Sequence, residues 1–235
     1  MNLDSLFNLF KHRTLDFLFP PRCVGCGKGG SLLCRKCRAA LIYLQPPLCR
    51  RCSLPISEGT ICRKCRLEDW ELDGVYSIFE YGGVIRQAII NLKYHNIKTL
   101  AVPLSRFLKE YLSEHRLSFD IIIPVPIHKR RLRERGYNQT ALLARRLSRM
   151  SRIPLMEGAL VRTRHTPSQA KSESVEQRKE NIRNAFECVS WSVSGKHILL
   201  IDDVCTSGAT LNSCAASLKS AGAASVWGLT LAKEI

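Results

Sequence analysis

The chain has 235 residues, 45% of them hydrophobic, and a formal net charge of +16. That length holds one sizeable α/β domain plus a small module, and the apolar share is that of a globular protein, which excludes a disordered or fibrous chain. The positive excess sits in residues 1–70 (12 basic, 5 acidic) and residues 121–190 (15 basic, 6 acidic), a clustering that suits contact with a polyanion.

Leu3, Leu6, Phe7, Leu9, Phe10, Leu15, Leu18 and Phe19 recur at near-helical spacing, and Pro20-Pro21 stops the pattern. Residues 1–21 are therefore expected to form an amphipathic helix, packed on the rest of the protein or lying on a membrane surface. Asp4, Lys11, Arg13 and Asp16 interrupt its apolar pattern, which argues against a secretory signal. No run of 18 apolar residues exists, so no integral membrane span is expected.

Four Cys-x-x-Cys pairs follow: Cys23 and Cys26, Cys34 and Cys37, Cys49 and Cys52, Cys62 and Cys65. Each pair puts two thiolates on one tight knuckle, and two knuckles complete a tetrahedral zinc site. Cys34-Arg-Lys-Cys37 returns as Cys62-Arg-Lys-Cys65, so the segment reads as two zinc ribbons in tandem. Sequential pairing (Cys23, Cys26, Cys34, Cys37; then Cys49, Cys52, Cys62, Cys65) is the simplest arrangement; interleaved pairing stays open. An all-cysteine ligand set leaves no position for water, so the two zinc ions would be structural, and a segment this poor in apolar residues needs them to fold. Arg35, Lys36, Arg38, Arg50, Arg51, Arg63, Lys64 and Arg66 surround the knuckles, either to grip phosphates or to solvate the module. Paired cysteines used as metal ligands fit a reducing cytoplasm. Residues 22–70 form this module and 71–235 the main domain.

Within the main domain, Gly74 to Tyr81 reads as a strand, and Gly82-Gly83 turns into a helix with Val84, Ile85, Ala88, Ile89 and Leu92 on its apolar side, closed by Lys93 and Tyr94. Residues 97–115 repeat the helical pattern with Leu100, Leu104, Phe107, Leu108 and Leu112. Asp120 to Ile127 is a buried strand broken by Pro124 and Pro126. His128, Lys129, Arg130, Arg131, Arg133 and Arg135 then gather at its carboxyl end, as an anion trap or as the solvated basic face of a starting helix. From Asn138, residues Ala141, Leu142, Ala144, Leu147 and Met150 predict another helix. Residues 162–186 are polar and hydroxyl-rich; they read as a loop able to close over a charged substrate, with Gln169, Arg178 and Asn181 on it or on a short helix after it.

The densest signal is Ile198 to Thr210. Ile198-Leu-Leu-Ile201 is a short, continuous apolar run and so a strand buried on both faces. Asp202 and Asp203 stand at its end, the loop Val204, Cys205, Thr206, Ser207, Gly208, Ala209, Thr210 follows, and Leu211, Ala215, Leu218 and Ala221 continue at helical spacing. Unpaired N–H groups and the positive dipole end at a helix N-terminus attract phosphate. The two carboxylates would face ribose hydroxyls and a magnesium ion carried by the substrate. In an open α/β sheet this is where ligands bind.

These residues resemble the phosphoribosyl diphosphate (PRPP) motif of type I phosphoribosyltransferases, position by position at Asp202, Asp203, Thr206, Ser207, Gly208 and Thr210. With the four knuckles after Phe19-Pro-Pro-Arg-Cys23, the Pro-Val-Pro segment, Arg131-Leu-Arg-Glu-Arg-Gly-Tyr-Asn-Gln139, Gln169, Arg178 and Asn181, nearly the whole chain resembles the ComF family. That resemblance implies an N-terminal double zinc-ribbon module before an α/β phosphoribosyltransferase-like domain with a mainly parallel sheet. It implies magnesium–PRPP binding, with the 5′-phosphate on residues 204–210, Asp202 and Asp203 as the catalytic acids, and pyrophosphate toward His128, Lys129 and Arg130, with Arg133 and Arg135 as secondary candidates. Ser207 stands where many phosphoribosyltransferases carry Thr, which keeps the hydroxyl. The resemblance also implies a role in DNA uptake and natural transformation, with single-stranded DNA as a partner and Tyr94, Tyr137 or Trp191 available for stacking. A DNA-uptake or helicase-type partner protein, and a place in the cytoplasm at the inner face of the membrane, follow from the same role. The competing reading is an active phosphoribosyltransferase of nucleotide or base metabolism with no DNA role. No residue identifies an acceptor base.

Overall fold

The computed structural model describes residues 20–163 and 185–235. Residues 1–19 of the helix expected over 1–21 lie outside them. The ribbons carry two single-turn helices, α1 (Arg35–Ala39) and α2 (Arg63–Leu67), each N-capped by a cysteine, Cys34 and Cys62. The remainder runs β1 (Gly74–Glu80), α3 (Gly83–Tyr94), α4 (Ala101–Glu114), β2 (Ile121–Pro124), α5 (Lys129–Arg135), α6 (Gln139–Ser151), β3 (Leu160–Arg162), β4 (Phe186–Cys188), β5 (His197–Cys205), α7 (Ala209–Ser220) and β6 (Ser225–Lys233).

Four strands form one parallel sheet in the order β1-β6-β5-β2. β5 and β6 sit centrally, which is why both read as near-continuous apolar runs. Side-chain alternation splits the core into two layers. Ile122, Leu199, Ile201, Leu229 and Leu231 face α3, α4 and α6 through Ile85, Ile89, Leu92, Leu104, Leu108, Leu143 and Leu147. Ile121, Ile123, Ile198, Leu200 and Val226 face the opposite way, onto Leu211, Cys214, Ala215 and Leu218 of α7 and the β3–β4 hairpin. On α6 it is Leu143 that is buried, while Leu142 is half-buried and Met150 exposed.

Neither sheet edge is left bare, a device that blunts edge-to-edge pairing. The Glu80 N–H donates to the Ile42 carbonyl (2.9 Å) and the Leu44 N–H to the Ile78 carbonyl (3.0 Å), so the segment between the two ribbons runs antiparallel to β1. At the other edge, residues 154–156 run beside Ile122.

Two expected boundaries shift. β5 extends through both aspartates to Cys205, four residues beyond the apolar run, because β6 keeps pairing with it as far as Lys233. The basic stretch after β2 forms the helix α5: the His128 imidazole accepts from the Arg130 N–H (3.2 Å) as N-cap, and Gly136, with φ +76°, ends it.

Candidate functional site

The two four-cysteine groups are sequential. Cys23, Cys26, Cys34 and Cys37 form one and Cys49, Cys52, Cys62 and Cys65 the other, with all sulfurs of a group within 4.8 Å of each other. Cys26 and Cys34 sulfurs are 3.7 Å apart and Cys52 and Cys62 sulfurs 3.8 Å apart. A tetrahedral zinc–thiolate site with bonds of about 2.3 Å has sulfur–sulfur edges of about 3.8 Å, so the donors fit the ion. Knuckle N–H groups donate to sulfur in both groups, Cys34 to Cys23 (3.4 Å) and Cys62 to Cys49 (3.2 Å). Against the effect of burial, those N–H donors bring the Cys23 thiol down to about 6 and Cys49 to about 7. Cys37 is pushed up to about 12 by burial and by the sulfurs around it. Four thiolates cannot all ionise at that spacing without a cation between them.

The acid pair lies near the carboxyl end of β5, with the two side chains on opposite faces of the sheet. Asp203 is buried on the α3 side, where Lys93 Nζ lies 2.6 Å from its Oδ1. Burial alone would lower the Lys93 ammonium, but Asp203 and Asp202 outweigh it and raise Lys93. The other oxygen, Asp203 Oδ2, is buried with no hydrogen-bond partner among the described residues. Asp202 is half-buried on the α7 side and accepts from the Asp203 N–H through Oδ1 (2.8 Å). Burial first, then the Asp203 charge, raises it to about 7, held back by Lys93, that N–H and Arg162.

The loop after the acids is short. Val204 and Cys205 still belong to β5; Thr206 and Ser207 are exposed; Gly208 is buried with φ +82° as the N-cap of α7; Ala209 and Thr210 open the helix. The Ser207 hydroxyl accepts from the Ala209 N–H at 3.4 Å. Lys233 Nζ donates to the Thr206 carbonyl (2.5 Å), which ties the loop to the end of β6. Burial pushes the Cys205 thiol up to about 12, so it is a packed strand residue and no nucleophile.

The residues predicted to meet pyrophosphate divide by face. Lys129, Arg130 and Arg133 are exposed, and Arg130 pairs with Glu134 (2.9 Å). His128 is half-buried as the cap, and Arg135 hydrogen-bonds Gln139 while its guanidinium lies 5.0 Å from the Tyr94 ring centroid. Of the three stacking candidates, Tyr94 and Trp191 are exposed; Tyr137 is buried, its hydroxyl donating to the Leu92 carbonyl, and offers no platform. Gln169, Arg178 and Asn181 lie outside the described residues.

With this geometry in place, residues 14–66 match the double zinc ribbon domain family and residues 133–234 the phosphoribosyl transferase domain family. Competence protein F of Haemophilus influenzae is 31% identical over 230 residues, covering 90% of this chain and 97% of that protein. Competence protein ComFC of Bacillus subtilis is 30% identical over 220 residues, 86% of this chain and 84% of that one. DNA utilization protein YhgH of Escherichia coli K12 is 34% identical over 185 residues, 76% of this chain and 81% of that one. The chain belongs to the ComF family. Its double zinc ribbon and phosphoribosyltransferase-like domain are those of that family.

Several residues around the acid pair and the loop that follows it carry no motif in this ComF-family chain. Lys93 ends an apolar helix face and in sequence looks like a solvated C-terminal cation. Arg162, at the end of β3, shares the electrostatic surroundings of Asp202 and Arg131; burial lowers it first and Arg131 lowers it further. Trp70 packs on both the second cysteine group and the α7-side core. Only the cation Lys93, closing an otherwise apolar stripe, gives a signal in the sequence.

Proposed function

We propose that this protein binds magnesium–PRPP at the carboxyl edge of its sheet and single-stranded DNA on its basic surface, as part of DNA uptake. The observation that carries the first half is the run Asp202, Asp203, left-handed Gly208, α7: two acids near a strand end, then a short loop and a helix start. The 5′-phosphate would rest on residues 206–210, and the ribose hydroxyls near Asp202 and Asp203. Asp203 Oδ2, buried without a partner among the described residues, and the raised Asp202 describe an acid pair that a divalent cation would relieve, so magnesium fits these donors. Magnesium would offset charge on the departing pyrophosphate, and half-buried His128, Arg131 and Arg135 would add to that preorganised field, with Lys129, Arg130 and Arg133 at its outer rim. The lid would carry Gln169, Arg178 and Asn181.

The DNA half is supported by the relatives named for competence and DNA utilization and by the charge of +16. Exposed Tyr94 and Trp191 would stack bases, and the ribbon arginines would hold phosphates. A DNA-uptake or helicase-type protein at the cytoplasmic face of the membrane is the partner this role calls for; among the described residues no helix is long and apolar enough to cross a membrane.

Calorimetry against magnesium–PRPP tests the site. Wild type binds, and Asp202→Asn with Asp203→Asn weakens binding at least a hundredfold; equal affinity in the double variant would sink the assignment. DNA affinity should fall steeply with added salt, and salt-independent binding would remove the electrostatic half. Release of pyrophosphate on adding a free base would instead favour a metabolic transferase.

A further inference from the structure

We infer that Trp70 is a positioning residue for the phosphate loop, and that through it the second zinc ribbon, and not the first, sets the conformation of residues 205–212. The inference rests on reading residues 206–210 as a phosphate loop. The indole lies against Gly208: a Cβ built there would sit 2.6 Å from Trp70 Cη2 and 3.2 Å from Cζ3. Gly208 is also the residue whose φ of +82° turns β5 into α7. Glycine thus serves two needs at one position, the left-handed turn and the close approach of the ring. The same ring packs on the buried Cys49, Cys52, Cys62 and Cys65 cluster, so one side chain spans from a four-thiolate knuckle to the loop.

The contact has a polar frame around it. Asn212, in the first turn of α7, accepts from the Glu71 N–H (2.8 Å) and the Leu72 N–H (3.0 Å) and donates to the Asp69 carbonyl (3.4 Å), so the backbone on both sides of Trp70 is pinned to the helix. Cys205 Sγ points at the Cys52 carbonyl of the second ribbon (3.9 Å). The Asn212 N–H closes the first helical turn on the Gly208 carbonyl (2.9 Å). Among the described residues the first cluster shows no such link to the loop: its ribbon meets Val84 on α3 and, through Arg38, Glu110 and Phe107 on α4. A phosphate site needs its N–H groups held before the anion arrives, and here the ribbon supplies the brace.

Two measurements on the full-length, zinc-loaded protein test this. Amide hydrogen exchange without any ligand should be at least tenfold faster at residues 208–212 in Trp70→Ala, with β6 and α4 unchanged. Cys62→Ser should reproduce that local loss and Cys34→Ser should not. Magnesium–PRPP affinity should drop at least tenfold in Trp70→Ala. In the pair Gly208→Ala and Trp70→Phe, the smaller ring should restore part of the affinity that the alanine methyl removes, a suppression that general destabilisation does not give. Unchanged exchange in Trp70→Ala, or equal loop loosening in Cys34→Ser and Cys62→Ser, overturns the inference. If wild type fails to bind PRPP while the exchange pattern appears as stated, the brace stands and the ligand assignment falls.

Discussion

The first and second ribbons share the Cys-Arg-Lys-Cys knuckle, yet they meet the domain differently. In the first group Cys26 is exposed and Cys34 half-buried; in the second all four cysteines are buried. The first ribbon rests on the outside of α3 and α4 and delivers residues 42–44 to the edge of the sheet. The second is wedged between the start of β1, where Ser53 donates to the Val75 carbonyl (2.6 Å), and the carboxyl end of β5, where Trp70 covers Gly208. Duplicating a metal knuckle duplicated a fold but not a role. Placement against the sheet separates an edge cover from a layer packed on the loop before α7.

The sharpest way to break this contrast is to compare side chains on the two faces. Lys93→Ala leaves the buried Asp203 carboxylate without its cation, and urea unfolding should show a loss of about 3 kcal/mol. A loss below about 1 kcal/mol would mean that the pair is solvated and that the site is no more demanding than the first-ribbon surface. Next come the two crowded glycines. Gly208→Ala meets Trp70 and a left-handed φ together, and should cost about 2 kcal/mol with both zinc ions retained. Gly25→Ala puts a methyl 2.7 Å from Cys37 Sγ and 3.1 Å from Val84, and should show instead as lowered zinc content with magnesium–PRPP affinity intact. Equal PRPP losses from the two substitutions would erase the distinction between the ribbons.

A smaller effect lies in pH. The folded protein keeps a proton on Asp202 up to about pH 7, whereas the unfolded chain releases it near 3.8. Between those values the native state binds more protons, so this group's contribution to stability falls as pH rises through the window. Melting temperatures of the metal-free site should therefore decline from pH 4 to pH 7 less steeply in Asp202→Asn than in wild type; parallel curves would contradict the raised carboxyl. The least effect belongs to the first ribbon's contact. Arg38→Ala removes an exposed ion pair with Glu110 and a cation–π contact with Phe107, and should cost at most about 1 kcal/mol.

Much of the fold was legible in the chain because local patterns and tertiary needs agree. The apolar run 198–201 is a central strand, the stripe Ile85, Ala88, Ile89, Leu92 is a buried helix face, and four Cys-x-x-Cys pairs are four knuckles. The basic stretch 128–135 was legible as charge, with a starting helix as one of its two readings; arginine and lysine are good helix formers, so the segment coils once Pro126 is behind it. Tyr137 was misread because an aromatic among arginines looks exposed, while here its hydroxyl found the Leu92 carbonyl in the core.

By itself the sequence determined the chemistry available: eight paired thiols, two adjacent acids, a glycine where the chain must turn left, and a surplus of cations. These are properties of residue type and short spacing, and they survive any packing. Tertiary structure alone decided the pairing of the knuckles, the Lys93 ammonium beside Asp203 across 110 residues of chain, and the Trp70 ring on Gly208 across 138. Such contacts bury one partner against another, so they exist only where the sheet and its helices bring distant segments together.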